Sequence, residues 1–400
     1  MHRPNRREFL TSMVAMPLLP RLVAPGRKRK EHVVVVGAGA FGGWTALSLL
    51  RSGYRVTLVD AWGAGNARAS SGGETRVIRA VYGGDPVYIR MAQRALELWR
   101  DAERGWGRKV FHEVGALWMF AGDDAFARRS AEPMRAVGLP LEEWTRAEAA
   151  RRYPQMSFAD VRSVFFEPRA GYLLARQACE LVRETIVAEK GEYRVAQARP
   201  ADTQGRRLAA ISLAGNAPVR GDQFVFACGP WMHDMFPDVI GRRIVATRQE
   251  VFFFGTPAGS TRYDALPAWV HMGDRVVYGV PGNERRGLKI ADDTAGAEVD
   301  PTTQARVPSV EGLTRARAIL AERFPDLAGA PLLEARVCQY EASSDGNFLV
   351  DRHPRFDNVW LAGGGSGHGF KMGPALGEHV AALVQGGTRP EPLFSYSAKR

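Results

Sequence analysis

The sequence predicts an α/β fold. A three-layer, mostly parallel sheet is assembled from separated pieces of the chain, and an antiparallel β-sheet plus helices is inserted between the pieces. Three observations predict it. A β-α-β unit with a glycine-rich turn opens at Glu31. Apolar strands able to join the same sheet recur in mid-chain (residues 224–228, FVFAC) and near the end (residues 358–362, NVWLA). Between them lie β-rich segments at residues 110–121, 163–167, 244–255 and 269–280. At 400 residues, 45% hydrophobic and 24% charged, the chain has the composition of a globular protein and room for two or three domains.

The first element is the most explicit. Val33 to Val36 are four consecutive β-branched residues, the pattern of a parallel strand buried on both faces. Gly37, Gly39 and Gly42 follow on G-x-G-x-x-G spacing. The first glycine permits the tight turn, the second lets the backbone approach a pyrophosphate, and the third lets the following helix pack closely on the strand. The helix start then presents free N–H groups to the phosphates. Residues 55–60 (RVTLVD) form the second strand, and Asp60 closes it where an acid accepts a hydrogen bond from the adenosine ribose. A bare glycine motif is weak, but here strand, turn, helix, strand and acid occur in order.

Composition removes several classes of function. The net charge is +11, but eight of the 54 basic residues and only one of the 43 acids fall in residues 1–30. The basicity therefore belongs mostly to a leader and does not point to nucleic acid. Cys179, Cys228 and Cys338 are three and far apart, which matches neither a disulfide framework nor a metal site. No run of eighteen apolar residues exists, so no membrane span is expected. Residues 5–10 (NRREFL) resemble a twin-arginine export motif, and an apolar stretch and a basic cluster at Arg27–Lys30 follow. The expectation is a targeting segment read by the twin-arginine export machinery and a periplasmic protein, anchored by the leader if it stays uncut, or a cytoplasmic one if the leader does not function. That route carries folded proteins, which suits a chain that loads a cofactor first.

The rest follows in order. Residues 61–73 form a Gly/Ala/Ser-rich loop. Tyr88, Met91, Ala92, Ala95, Leu98 and Trp99 recur at helical spacing and predict a helix over 86–104, its large side chains serving as core. Alternation of Val114, Ala116, Trp118 and Phe120 predicts one strand over 110–121. Short helices are expected at 123–137 and 145–152, with Pro140 and Pro154 as punctuation. A strand at 163–167, a long amphipathic helix at 171–190, a helix at 308–324 and a last helix at 374–385 complete the pattern. The boundaries read as 1–30 leader; 31–105, 160–245 and 334–400 dinucleotide-binding domain; 106–159 and 246–333 substrate domain. Nicotinamide enzymes usually keep this domain in one block, so the divided layout favours a flavoprotein.

Three separated segments carry a specific resemblance: residues 73–82 (GETRVIRAVY), residues 287–290 (GLKI), and residues 337–340 (VCQY) together with residues 366–371 (SGHGFK). In these, residues 32–390 resemble the D-amino-acid-oxidase fold group of FAD enzymes, and within it the sarcosine oxidase, N-methyltryptophan oxidase and pipecolate oxidase branch. The resemblance implies a Rossmann-like FAD-binding domain and a covalent thioether from Cys338 to the flavin. It implies that Arg79 and Lys371 hold a substrate carboxylate, a role suited to a planar guanidinium and a point-charge ammonium. It implies that Lys289 activates oxygen, with Arg76 on the same face of the ring, and that Tyr278 and His368 line the substrate cavity. The glycine loop 363–369 contributes Gly365, Gly367 and Gly369 to the cofactor.

The implied activity is oxidation of the C–N bond of a secondary, N-methyl or cyclic, amino acid to an imine, with O2 reduced to peroxide by a monomeric enzyme. Two departures stand out. Asp293 occupies a position where relatives often carry histidine, and Glu341 one where a small hydroxyl residue is common. A carboxylate near the pocket favours a substrate with an extra cationic group over plain sarcosine. Two other readings stay open: an exported amino-acid dehydrogenase that passes electrons to a quinone or other carrier, and a non-catalytic carboxylate-binding flavoprotein. A NAD-dependent reductase is disfavoured by the layout and by residues 366–371.

Overall fold

The computed structural model describes residues 31–399. The leader expected at residues 1–30 lies outside the described residues. Strand β1 (His32–Val36), helix α1 (Ala40–Arg51) and strand β2 (Arg55–Asp60) form the expected unit. They sit in a six-stranded sheet of order Leu349–Arg352, Val359–Gly363, Gln223–Phe226, β1, β2, Glu192–Val195. Every neighbouring pair is parallel except the first. The mid-chain strand therefore flanks β1 and the late strand lies next beyond it, as their apolar runs require.

Burial on both faces explains the valine run. Val33 and Val35 face one core with α1, α2 (Pro86–Trp106) and the helix Gly373–Val384. Val34 and Val36 face another with Leu208, Ile211, Val219, Phe236 and Ile240. That second layer includes a small antiparallel sheet, Ala198–Pro200, Ala210–Leu213 and Asn216–Arg220, whose short strands escape periodicity analysis. Helix α2 starts where expected: Asp85 caps Val87 and Tyr88, and Pro86 occupies the first turn.

The second sheet has eight strands, in the order Leu332–Ser343, Ile244–Phe254, Leu288–Asp292, Val276–Val280, Ala268–Met272, Ala116–Phe120, Ser163–Glu167, Glu142–Trp144. All neighbours are antiparallel except Ala268–Met272 with Ala116–Phe120. Ser163–Glu167 and most of Leu332–Ser343, assigned by the sequence boundaries to the dinucleotide domain, hydrogen-bond into this sheet instead. A third sheet joins β3 (Thr75–Ile78) and Phe111–His112 to Gly171–Leu174.

Two expected elements change. The helix expected at 171–190 is a strand for its first four residues, and the helix is Ala175–Ala188. Pairing of Tyr172 with Val77 and burial of all four residues override a pattern compatible with either period. The strand expected at 110–121 is two strands, broken at Gly115, which has φ +79°. Nor does it alternate between core and solvent. Leu117 and Met119 enter one core and Trp118 and Phe120 another, so all are buried. Among the described residues no helix is long and apolar enough to cross a membrane.

The glycine turn depends on close approach. Gly37 has φ +105°, and a Cβ there would lie 2.2 Å from the Ala227 carbonyl oxygen. A Cβ on Gly42 would lie 1.9 Å from the Gly37 carbonyl oxygen. Gly42→Ala should therefore force helix α1 off the turn and cost about 2–3 kcal/mol of stability. Thermal unfolding checks this, and an unchanged midpoint would show that the turn can open freely.

Candidate functional site

At the carboxyl ends of the parallel strands a long cleft encloses about 1260 Å³ of atom-free space, part of it open to solvent. Gly37, Gly39 and Asp60 line it, as do Gly365, Gly367 and Gly369 of the late glycine loop and Tyr340 and Glu341 of the second sheet. Gly42 stands behind the turn rather than in the lining. Helix α1 has no side chain capping its start, apart from Ser71 Oγ, which accepts the Ala40 N–H at 3.1 Å. Asp60 does more than close its strand. Its Oδ2 accepts the Ala38 N–H at 2.8 Å, and its Oδ1 accepts those of Trp62 and Gly63. It braces the turn and, with lone-pair capacity left, still faces the cleft.

The cleft suits a flavin dinucleotide on its own features. It offers a helix start at a glycine turn, and it is lined by Ser70, whose buried hydroxyl has no hydrogen-bond partner. At its far end Arg76 and Tyr340 also line a second, smaller cavity with Tyr278, Lys289 and Cys338.

Strand pairing builds this second cavity. Gln249 lies opposite Cys338, Thr247 opposite Tyr340, and Phe253 opposite Lys289. The Arg76 guanidinium, on β3, lies 3.5 Å from the Cys338 sulfur and donates to the carbonyls of Thr75 and Ser70. Lys289 is almost wholly buried. Its Nζ donates to the Thr75 carbonyl at 3.2 Å and sits 5.2 Å from the Tyr278 ring centroid. Burial first, and the Arg76 charge second, bring its pKa down to about 7.

The third group surrounds Tyr82. The Arg79 guanidinium lies 4.3 Å from the Tyr82 ring centroid and 5.1 Å from that of Trp118, and it donates to the Val81 carbonyl. Lys371 Nζ lies 5.4 Å from the same Tyr82 ring and donates to the His368 carbonyl at 2.7 Å. Its carbonyl accepts the indole N–H of Trp99, which fixes it to α2. Burial and the Arg79 charge push the Lys371 ammonium well below its usual range; Asp293 and Glu167 act in the opposite sense. His368 Nε2 meets the Gly346 carbonyl at 3.0 Å and Nδ1 meets the Tyr82 hydroxyl at 3.3 Å. A carbonyl only accepts, so Nε2 carries the proton and Nδ1 receives one from Tyr82. Burial and Lys371 hold its pKa down at about 3. Both ring nitrogens of this neutral imidazole are occupied, which makes it a positioning group rather than a proton carrier.

The sequence-derived residues thus gather in three adjoining groups, two lining the cleft and the second cavity and the third, about Tyr82, lining neither. Gly37, Gly39, Asp60, Gly365, Gly367 and Gly369 stand at the dinucleotide end, Arg76, Tyr278, Lys289 and Cys338 at the second cavity, and Arg79, His368 and Lys371 about Tyr82. Asp293 links the last two. Its Oδ1 accepts the Tyr340 hydroxyl at 2.6 Å, and its charge is felt by Lys289 and Lys371. Sequence reasoning missed Glu167. This buried carboxyl accepts the N–H groups of Ala80 and Val81 and the indole N–H of Trp118 at 2.6 Å, and so shapes the backbone that carries Arg79. Nothing local marks it, because its partners are backbone groups remote in sequence. Glu74 was likewise missed; it draws Arg176, Arg286 and Arg336 together beside Arg76. No cluster of His, Cys, Asp or Glu able to hold a metal ion occurs among the described residues.

Comparison with known proteins identifies the family and the fold. A family model described as FAD dependent oxidoreductase (DAO) matches residues 32–383. Monomeric sarcosine oxidase of Bacillus sp. (strain B-0618) is 29% identical over 92% of this chain and 95% of its own. N-methyl-L-tryptophan oxidase of Yersinia pestis (strain Pestoides F) is 24% identical over 92% of this chain and 98% of its own. In fold, the chain resembles L-proline dehydrogenase from P. horikoshii, with TM-score 0.80 and 21% identity over 92% of this chain and 97% of that one. It also resembles the deglycating fructosamine oxidase Amadoriase II from Aspergillus fumigatus, with TM-score 0.79 and 22% identity over 93% and 90%.

Proposed function

The chain belongs to the DAO family of FAD-dependent oxidoreductases, and from that premise we propose that it oxidises the C–N bond of a secondary, N-methyl or cyclic, amino acid to an imine, with O2 as electron acceptor. The observation that carries this reading is the Arg79–Lys371 pair. Two cations flank one aromatic ring, and their direct hydrogen-bond partners are carbonyl oxygens rather than carboxylates. A substrate carboxylate between them completes both, taking the guanidinium fork on one side and the ammonium on the other. Holding that group fixes the amine nitrogen and its neighbouring carbon against the cleft. Bound FAD supplies the two-electron acceptor.

This chain's own residues do the rest. Tyr82 and His368 pack at the carboxylate end, and their mutual hydrogen bond keeps Lys371 oriented. Asp293, bonded by Tyr340 and acted on by Arg79 and Lys371, places a carboxyl on the substrate side, where it favours a substrate with a further cationic group. Lys289 holds a proton at Nζ below about pH 7, where its positive charge stabilises negative charge that develops on oxygen. Covalent attachment is supported by Cys338, whose sulfur stands at the cavity shared with the cleft and beside the positive charge of Arg76. The relatives named monomeric support a monomer.

Three experiments bear on this reading. Under anaerobic conditions a panel of N-methyl and cyclic amino acids should bleach the flavin, and re-aeration should yield peroxide. Bleaching by no member would leave a binding protein, and bleaching without peroxide would leave a dehydrogenase. Protein precipitated in acid should stay yellow, whereas Cys338→Ser should release its flavin to the supernatant; a colourless wild-type pellet removes the thioether. Lys289→Met should slow reoxidation of the reduced enzyme by O2 on the order of 10²–10³-fold, with reduction by substrate changed only a few-fold. Equal effects on both half-reactions would remove its role at oxygen.

A further inference from the structure

Glu341 is a carboxyl of the cleft that no step above uses. It follows Tyr340 on the strand Leu332–Ser343 and lines the cleft with Gly229 and Gly365. Its Oε2 accepts the Gly364 N–H at 3.2 Å, and the Gly365 N–H also favours its charged form. No cation is among the groups that act on it. A carboxyl held by two backbone amides, with no counter-charge, has acceptor capacity to spare on the side open to the cofactor.

Its surroundings leave it free to titrate. The cleft is also lined by Asp60, Arg76, Arg199, Cys228, Asp234 and Tyr340. The arginines stay charged. Burial pushes the Cys228 thiol and the Tyr340 phenol up, out of the physiological range. On the glycine loop, His368 is held down at about 3. Desolvation lifts Glu341 itself to about 7. Lys289, in the adjoining cavity, is brought to about 7 as well and must be separated from it by experiment. Once the cleft is filled and dry, a charge on Glu341 acts through a medium of low dielectric constant.

Resting on the flavin reading above, we propose that Glu341 is a proton-holding contact of the bound flavin that makes the cofactor's readiness to accept electrons depend on pH. Neutral, it donates its O–H toward the cofactor; ionised, its negative charge opposes the arrival of two electrons. When the reductant delivers that electron pair, an ionised Glu341 takes one proton from solvent, so the added charge is partly cancelled. Linkage then requires that reduction become harder as pH rises through the range in which Glu341 ionises.

The test is the reduction potential of the purified holoenzyme, set by anaerobic dye-equilibrated titration over roughly pH 5.5–9, a span that brackets the titration. Glu341→Gln keeps the shape and stays neutral. Its curve should meet that of the wild type at the acid end and lie above it at the alkaline end. The equilibrium constant for reduction should differ there by on the order of tenfold for each pH unit by which reduction raises the affinity of Glu341 for its proton. The visible flavin band of the wild type should shift through the same range, and that of the variant should not. Glu341→Ala carries the same expectation if the glutamine variant fails to fold. Lys289→Met should leave the Glu341-dependent difference in place. Curves that superimpose, or run parallel at all pH values, overturn the proposal, as does loss of the difference in Lys289→Met. A protein that purifies without flavin fails the reading of the preceding subsection instead, so the two failures are distinct.

Discussion

The site depends on positive charge kept out of bulk water. Arg76, Arg79, Lys289 and Lys371 belong to adjoining side-chain groups, and Lys289 and Lys371 are almost wholly buried. Burying an ammonium without a partner costs several kcal/mol, and an ordinary core would not contain four cations so close together. Each is held by a backbone carbonyl: Thr75 for Arg76 and Lys289, Val81 for Arg79, His368 for Lys371. The rings of Tyr82, Trp118 and Tyr278 lend their faces to three of them. Carbonyls and ring faces fix direction without cancelling charge, so the region remains a receptor for anionic groups.

The fold is arranged to hold those carbonyls still. The Thr75 carbonyl belongs to β3, whose place is set by pairing with Gly171–Leu174, and it meets Lys289 from a strand of the eight-stranded sheet. The long antiparallel pair Ile244–Phe254 and Leu332–Ser343 carries Cys338, Tyr340 and Glu341 past the mouth of the parallel sheet. Glu74 adds an anchor, since Arg176, Arg286 and Arg336 reach one buried carboxylate from three different segments. The dinucleotide end and the cationic end thus belong to different sheets and are registered against each other by side chains at the seam.

This division explains what could be read from the sequence. The glycine turn was legible because its chemistry is local: strand, turn and helix are contiguous, and Gly37 and Gly42 answer to contacts a few residues away or across one strand pair. The cationic groups were legible only through resemblance to a family, because nothing in the neighbourhood of Lys371 or Lys289 announces that they end near Arg79 and Arg76. Glu167 was not legible at all, as its three partners are two backbone amides and an indole set by tertiary packing. Residues 171–174 misled for a related reason. A short apolar run suits either period, and the pairing with β3 that decides it is formed with residues nearly a hundred positions earlier.

The carboxyl groups complete the electrostatics, and they bear on why this cleft tolerates its charge before any ligand arrives. Asp293 and Glu167 act on Lys371 at one remove, without an ion pair, and Asp293 acts on Lys289 as well. Direct pairing would consume the cations and leave nothing to attract a substrate acid. Burial drives both lysines toward the neutral form, and these carboxyls oppose that shift. Anions held back by their own hydrogen bonds, Asp293 by Tyr340 and Glu167 by Ala80, Val81 and Trp118, meet both requirements. The tethers matter as much as the charges, because a carboxylate free to rotate toward Arg79 or Lys371 would close the gap that a substrate carboxylate has to fill.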